Sequence, residues 1–322
     1  MRSDENWPVS LPFPSPARNA SIAFQQRARL IIRAYCGRDA GDLTPVAGGE
    51  KSQAFTFSDP GRGALVLRVN PHCDYSADIW AHHKFEFEGT SVPVPEIMAA
   101  GADNHGYWAI SRRAVGSSLY DLPQSAQLAA VPAIVNVLGA IHAMDVTTAH
   151  GYGPKGDDGN ARFLTWEDCM HAAIAQTAMV LEERSAVAIE QATHDALRTC
   201  LASAASLVPS VLPDQRVLLH GDFNPGNLIC HGRQITAVVD WVDVAYGDPW
   251  QEVAWVDFWL PHLNFVAAYE AQAGHCDSNR IVLYHLLMGA RALGSYVETG
   301  QSDKASAMLN RVRSLLGARR LR

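Results

Sequence analysis

The chain lacks the features that would place it in several large protein classes. None of its six cysteines (Cys36, Cys73, Cys169, Cys200, Cys230 and Cys276) stands in a Cys-x-x-Cys pair. That argues against a zinc site or a disulfide framework and for reduced thiols in a cytoplasmic protein. No window approaches about 18 uninterrupted apolar residues, so no membrane-spanning segment is expected. The first twenty residues hold Asp4, Glu5 and four prolines but no continuous apolar run of the kind a signal peptide needs, and they read as an extended arm. Basic residues are not in excess: 26 Lys plus Arg face 33 Asp plus Glu, a formal charge of −7. This balance disfavours a nucleic-acid partner and suits a cationic ligand. His82, His83, His142 and His150 show no metal-ligand spacing, and the sequence contains no internal repeat. What remains is a chain of 322 residues, 48% hydrophobic, with room for two globular parts.

Taken in order, Ser21 to Tyr35 carries an imperfect helical stripe closed by Gly37. Short β-type runs follow at Leu43 to Ala47, Ala54 to Phe57 and Ala64 to Val69. Gly-Gly and Asp-Pro-Gly punctuation separates them, as in an antiparallel meander. A helix is expected from Ser76 to Gly89, then strands near Glu96 to Ala99 and Tyr107 to Ser111. At Arg113 the composition changes, and the boundary is expected there: residues 1–113 as a small β-rich lobe, residues 114–322 as a mainly helical one. Helices are expected at Leu128 to Met144, from a capping box at Thr165 through Leu181, and at Ala186 to Leu207. Pro249 to Trp259, Asn279 to Glu298 and Asp303 to Leu316 should be helical too, and His150 to Asn160 reads as a loop. The fold class is therefore α+β, with an antiparallel sheet first and helices after.

The most informative stretch runs from Leu218 to Asp240. Apolar β-type runs flank His220-Gly221-Asp222-Phe223-Asn224-Pro225-Gly226-Asn227, and Asp240 ends the second run. A lone Asp or Asn in such a loop is commonly a turn cap. Two carboxylates and a carboxamide gathered between strands suit phosphoryl transfer better. That chemistry needs an orienting base for the acceptor hydroxyl and hard oxygen ligands for Mg²⁺ that leave room for phosphates. Asp222 can serve as the base, and Asn227 with Asp240 as the metal ligands.

These residues, with Val238-Val239-Asp240-Trp241 and Gly247-Asp248-Pro249, make the chain resemble the aminoglycoside phosphotransferases, small-molecule relatives of protein kinases. Within that family, Gly49 to Phe57, Val66 to Asn70, Ile110 to Ala114 and Leu119 to Pro123 are most similar to the hygromycin B 4-O-phosphotransferases. The resemblance implies a two-lobed protein-kinase-like fold and ATP with Mg²⁺. It implies Asp222 as base, Asn227 and Asp240 as Mg²⁺ ligands, and Arg68 on the phosphates in place of the usual Lys. Ser52 would lie in the phosphate loop, Ser111 and Arg113 beside the adenine, and Arg113 to Val115 at the hinge. Two acidic partners for Arg68, Asp78 and Glu86, stay open, and His220 and Asp248 are expected to brace the catalytic loop.

The step from Asp240 to Asp248 is too short for a protein kinase's activation segment, so a constitutively competent small-molecule kinase is implied. A polycationic antibiotic would be held by carboxylates and aromatic faces. Asp243, Asp257 and Trp259 are the candidates, with Glu252 and Trp255 on the same expected helix face. Other readings are a kinase of another small alcohol (choline, homoserine, a macrolide), a nucleotide-binding pseudokinase, or a metal-dependent hydrolase. A monomer without a nucleic-acid or membrane partner is expected.

Overall fold

The computed structural model describes residues 22–39, 41–46, 52–184 and 191–320. The N-terminal arm, Gly48 to Lys51 of the phosphate loop and the start of the helix expected from Ala186 lie outside them. By contact the chain divides into two units, and neither is a single segment. One contains Ile141–Asn224 and Asp243–Arg322; the other contains Pro12–Ala140 and Pro225–Val242. The change of composition at Arg113 thus falls inside the second unit.

That second unit begins with α1 (Ile22–Cys36), followed by β1 (Thr44–Val46), β2 (Gln53–Asp59) and β3 (Gly63–Asn70). Then come α2 (Ser76–Phe87), β4 (Ile97–Asp103) and β5 (Gly106–Arg112). The five strands form one antiparallel sheet in the order β1-β2-β3-β5-β4. Because side chains alternate along a strand, Leu65, Leu67 and Val69 are buried with Phe55, Phe57 and Ile110, and Ala28, Ile31 and Ile32 of α1 close that core. Arg68 faces the other way, where only small or polar neighbours stand opposite it: Ala54 on β2 and Ala109 on β5.

A second, three-stranded sheet joins the distant segment to this unit. Its strands are β6 (Ser117–Ser118), β10 (Leu228–His231) and β11 (Gln234–Val238), in the order β11-β10-β6. The Thr236 hydroxyl donates to the Val115 carbonyl at 2.7 Å, and the Val238 N–H to the Pro93 carbonyl at 2.8 Å. The Trp241 ring packs on Phe85 with centroids 4.9 Å apart.

α3 spans Gln124–His142, starting four residues before the expected Leu128 and enclosing Pro132. It is the one described helix long and apolar enough to cross a membrane by length and composition. Ala130, Ile134, Val135, Leu138 and Ile141 on it are nevertheless buried in the fold.

In the first unit the expected loop at His150 to Asn160 is in fact the start of a hairpin, β7 (Tyr152–Lys155) with β8 (Ala161–Phe163). With β9 (Val217–Leu219) and β12 (Ala245–Gly247) it forms a four-stranded sheet in the order β8-β7-β12-β9. Around it lie α4 (Trp166–Arg184), α5 (Gln191–Leu207), α6 (Trp250–Trp259), α7 (Phe265–Ala273), α8 (Ser278–Glu298) and α9 (Ser302–Arg320).

Candidate active site

All residues expected to meet nucleotide and metal belong to the second unit. Arg68 donates through Nη2 to Asp78 Oδ1 at 2.7 Å, which decides between its two candidate partners; Glu86 instead stands 3.7 Å from His82 Nε2. Tyr75 lies beneath the guanidinium, its ring centroid 4.7 Å from Cζ. Burial opposes the charge on Arg68, but Asp78 and Asp240 outweigh it and hold its pKa above the usual value. Asn227 ends a 3₁₀ turn (Pro225–Asn227), and its carbonyl accepts the Val239 N–H at 3.0 Å. That bond makes Asn227 a neighbour of Asp240, which turns out of the strand direction with φ +68°. A left-handed Asp just past β11 is backbone strain held by its surroundings, as functional positions often are. Ser111 is buried on β5 opposite Val66; Arg113 is exposed, its N–H bonded to the Ala64 carbonyl at 3.0 Å; Ser52 is half-buried just before β2.

These residues fit a substrate-associated Mg²⁺. Asn227 and Asp240 offer one amide and one carboxylate oxygen, both hard donors. Among the described residues no group of three or more His, Cys, Asp or Glu could hold a metal. A two-ligand seat leaves the other positions to phosphate oxygens and water.

The loop expected to be catalytic belongs to the first unit, between β9 and the 3₁₀ turn. Asp222 is 4% exposed. Its N–H donates to His220 Nδ1 at 3.2 Å, and its carbonyl accepts the Asn224 N–H at 2.8 Å. Gly221 precedes it with φ +85°, and a Cβ there would lie 1.7 Å from the Asp243 carbonyl oxygen. The Gly221 N–H donates to Glu252 Oε1 at 2.9 Å. The other oxygen of Glu252 meets His142 Nε2 at 3.0 Å, whose Nδ1 meets the Tyr269 hydroxyl at 2.7 Å. Asp248, fully buried, accepts the Tyr284 hydroxyl at 2.6 Å and the Trp250 N–H at 3.2 Å. Burial pushes its carboxyl up, against that hydroxyl and the Arg280 charge.

Of the acceptor candidates, Asp243 is buried directly behind Gly221, and its charge acts on Arg291 of α8. Burial pushes the Arg291 guanidinium down to about 10, with Asp243 opposing. Arg291 and Trp255 line a recess with Met170, Ala173 and Met288. Trp259 is 8% exposed, its ring edge-on to Phe258 at 4.7 Å. Asp257 accepts the N–H groups of Phe265 and Val266 at the start of α7 and lies 3.5 Å from His285, contacts that account for it without a ligand. Glu252, expected on the acceptor face, is instead wholly buried as the brace of Gly221.

Sequence reasoning passed over Tyr75, Tyr269 and Tyr284. Each hydroxyl or ring finds its partner through tertiary packing, so no spacing could have announced it.

Comparison with known proteins places this geometry. Residues 42–280 match the phosphotransferase enzyme family. Hygromycin-B 4-O-kinase of Escherichia coli is 31% identical over 280 residues, 82% of this chain and 77% of that protein. A thermostable mutant of aminoglycoside phosphotransferase APH(4)-Ia in its apo form superposes with a TM-score of 0.77 at 28% identity, covering 90% of this chain and 98% of the other. A ternary complex of a thermostable mutant of the same enzyme, with AMP-PNP and hygromycin B, gives 0.75 at 29%, covering 89% and 97%. Aminoglycoside 2'-phosphotransferase-IIIa, in its GDP complex, is 15% identical with a TM-score of 0.65 and shares the fold. With a family match over residues 42–280, 31% identity to the Escherichia coli kinase across 82% of the chain and a protein-kinase-like fold, the chain belongs to the phosphotransferase enzyme family, as an aminoglycoside phosphotransferase.

Proposed function

We propose that this phosphotransferase transfers the γ-phosphoryl group of ATP to a hydroxyl of hygromycin B and thereby confers resistance to it. The observation that carries the reading is the identity to a hygromycin-B 4-O-kinase across 82% of the chain, together with an intact Asp222, Asn227 and Asp240 set.

In this reading Asp222 accepts the proton of the acceptor hydroxyl as its oxygen bonds the γ-phosphorus and the bond to the bridging β–γ oxygen breaks, releasing ADP. Its place depends on the braces at Gly221 and His220. Asn227 and Asp240 would hold Mg²⁺, which when bound offsets the charge on the phosphates. Arg68, kept charged by Asp78 and Asp240, pairs with phosphate oxygens. Ser52, Ser111 and Arg113 flank the nucleotide, and residues 1–113 supply most of its contacts. Asp243 and Trp259 serve the cationic acceptor, Asp243 foremost, while Asp257 is taken up by the start of α7 and His285. In this reading the protein works as a monomer, and in the cytoplasm, where six free thiols stay reduced.

Mass spectrometry of hygromycin B after incubation with ATP and Mg²⁺ tests the reading. A single added phosphate is expected, and Asp243→Ala should raise KM for the antibiotic more than for ATP. An unmodified antibiotic in the presence of bound nucleotide would overturn the acceptor assignment. One observation favours a second acceptor class: the Arg291 charge beside Asp243 offsets part of the negative potential there. A less cationic hydroxylated metabolite or antibiotic would then compete with hygromycin B in the same screen.

A further inference from the structure

Tyr75 occupies the residue before α2, where a side chain normally caps the helix, yet it makes no capping hydrogen bond. Small polar residues are preferred at that position. The neighbouring Asp74 does the local work instead, accepting the Ser76 N–H at 3.0 Å and the Ser76 hydroxyl at 2.6 Å. Tyr75 is 6% exposed, and its hydroxyl has no hydrogen-bond partner among the described residues. Neither capping nor hydrogen bonding therefore explains a tyrosine here. What its side chain does meet, among the described residues, is the Arg68 guanidinium, whose Cζ lies 4.7 Å from the ring centroid.

An ammonium in the place of Arg68 would need only a carboxylate beside it, because a point charge has no plane. A guanidinium presents its donors in a flat fork, and two phosphate oxygens are matched only when that fork is turned correctly. Asp78 holds one edge of the fork through Nη2 and leaves rotation about that hydrogen bond open. An aromatic face stacked on the guanidinium removes it. We infer that Tyr75 is a positioning residue: its ring sets the plane of the Arg68 guanidinium, so that the remaining donors meet the phosphates of the bound nucleotide. The inference rests on the nucleotide half of the reading above and not on the identity of the acceptor.

The test is a double-variant cycle read by calorimetric affinity for Mg²⁺·AMP-PNP and by KM for ATP against kcat. Tyr75→Phe, which keeps the ring, should bind nucleotide within about twofold of the natural protein. Tyr75→Leu should weaken nucleotide by about three- to thirtyfold, the range a stacked cation supplies, with KM for the acceptor unchanged. In an Arg68→Lys background, where no plane needs setting, Tyr75→Leu should add less than about twofold. Thermal unfolding checks that each variant folds, and Tyr75→Met replaces Tyr75→Leu if the latter does not. Equal losses in the Arg68 and Arg68→Lys backgrounds would overturn the inference, because the ring would then be ordinary core. So would an unweakened Tyr75→Leu protein. Nucleotide binding without phosphorylation of hygromycin B defeats the acceptor assignment and leaves this inference standing; failure of the natural protein to bind Mg²⁺·AMP-PNP defeats both.

Discussion

Replacing Gly221 by alanine tests the link between backbone geometry and chemistry most directly. Two costs follow from the structure. At φ +85° an L-residue sits in sparsely allowed backbone space, worth about 1–3 kcal/mol. The new Cβ would also stand 1.7 Å from the Asp243 carbonyl oxygen and 2.5 Å from its carbon, far inside a normal van der Waals separation. Backbone atoms cannot rotate away, so the loop or the Asp243 segment must shift by more than an ångström, adding about 1–3 kcal/mol of overpacking. The sum, about 2–6 kcal/mol, lowers Tm by roughly 3–9 °C for a chain of this size. Asp222 is the next residue, and a displacement of about 1 Å at a reacting group can remove about a hundredfold of rate. Calorimetry and steady-state kinetics with ATP and the acceptor measure both effects. Gly232→Ala is the internal control: its φ is +61°, but a Cβ there meets nothing within 4 Å. It should cost only the backbone term of about 1–2 kcal/mol and leave kcat unchanged. If Gly221→Ala kept kcat within twofold of the natural protein, the claim that this close approach places Asp222 would be refuted.

Asp222→Ala should lose nearly all turnover while Mg²⁺·AMP-PNP still binds by calorimetry, because the base acts in the chemical step; near-normal kcat would remove it from that role. Asp240→Ala should instead weaken Mg²⁺·nucleotide binding itself, and unchanged affinity in the same titration would count against the metal assignment. Glu252→Ala leaves the Gly221 N–H and His142 without their buried partner and should cost about 3–5 kcal/mol in denaturant unfolding, most of it restored by Glu252→Gln. Stability should also fall in acid through His285. Burial lowers its pKa from 6.5 to about 4, so between those values the unfolded chain binds the proton and the folded one does not. Lowering the pH across that window should cost about 3 kcal/mol, and His285→Gln should flatten that part of the pH profile.

How much of this was readable in the sequence depended on whether a residue's partner lay nearby in the chain. The antiparallel meander was legible because Asp-Pro-Gly at residues 59–61 dictates a turn between two alternating runs. The hairpin at Tyr152 to Phe163 was not, because its glycines and aspartates look like loop and its strand β7 is fixed by pairing with Ala245 and Tyr246, some ninety residues on. The start of α3 was missed because Gln124 to Gln127 is polar and the apolar run begins only at Leu128. α7 was overlooked as a nine-residue segment between turn signals. The site divided in the same way. Asp222, Asn227 and Asp240 stand in one motif, and that motif was visible. Glu252 was assigned to an acceptor face because α6 was expected to have two faces; every residue in it except Asp257 is buried, so no periodicity separates inward from outward. The choice between Asp78 and Glu86 for Arg68 needed the observed register of α2, since both lie within reach by spacing.

The route of the chain also sets what can be recombined. It leaves one unit after Asn224 and returns after Val242, so the hairpin bearing Asn227 and Asp240 is inherited with the C-terminal half of the gene but pairs with Ser117 and Ser118 from the N-terminal half. A chimera with a relative made by one crossover near residue 113 or 140 would combine the proposed metal ligands from one parent with Arg68, Asp78 and Tyr75 from the other. Exchanging the nucleotide machinery intact requires transplanting two segments together, and substitutions on β6 and β10 should therefore be accepted only in matched pairs.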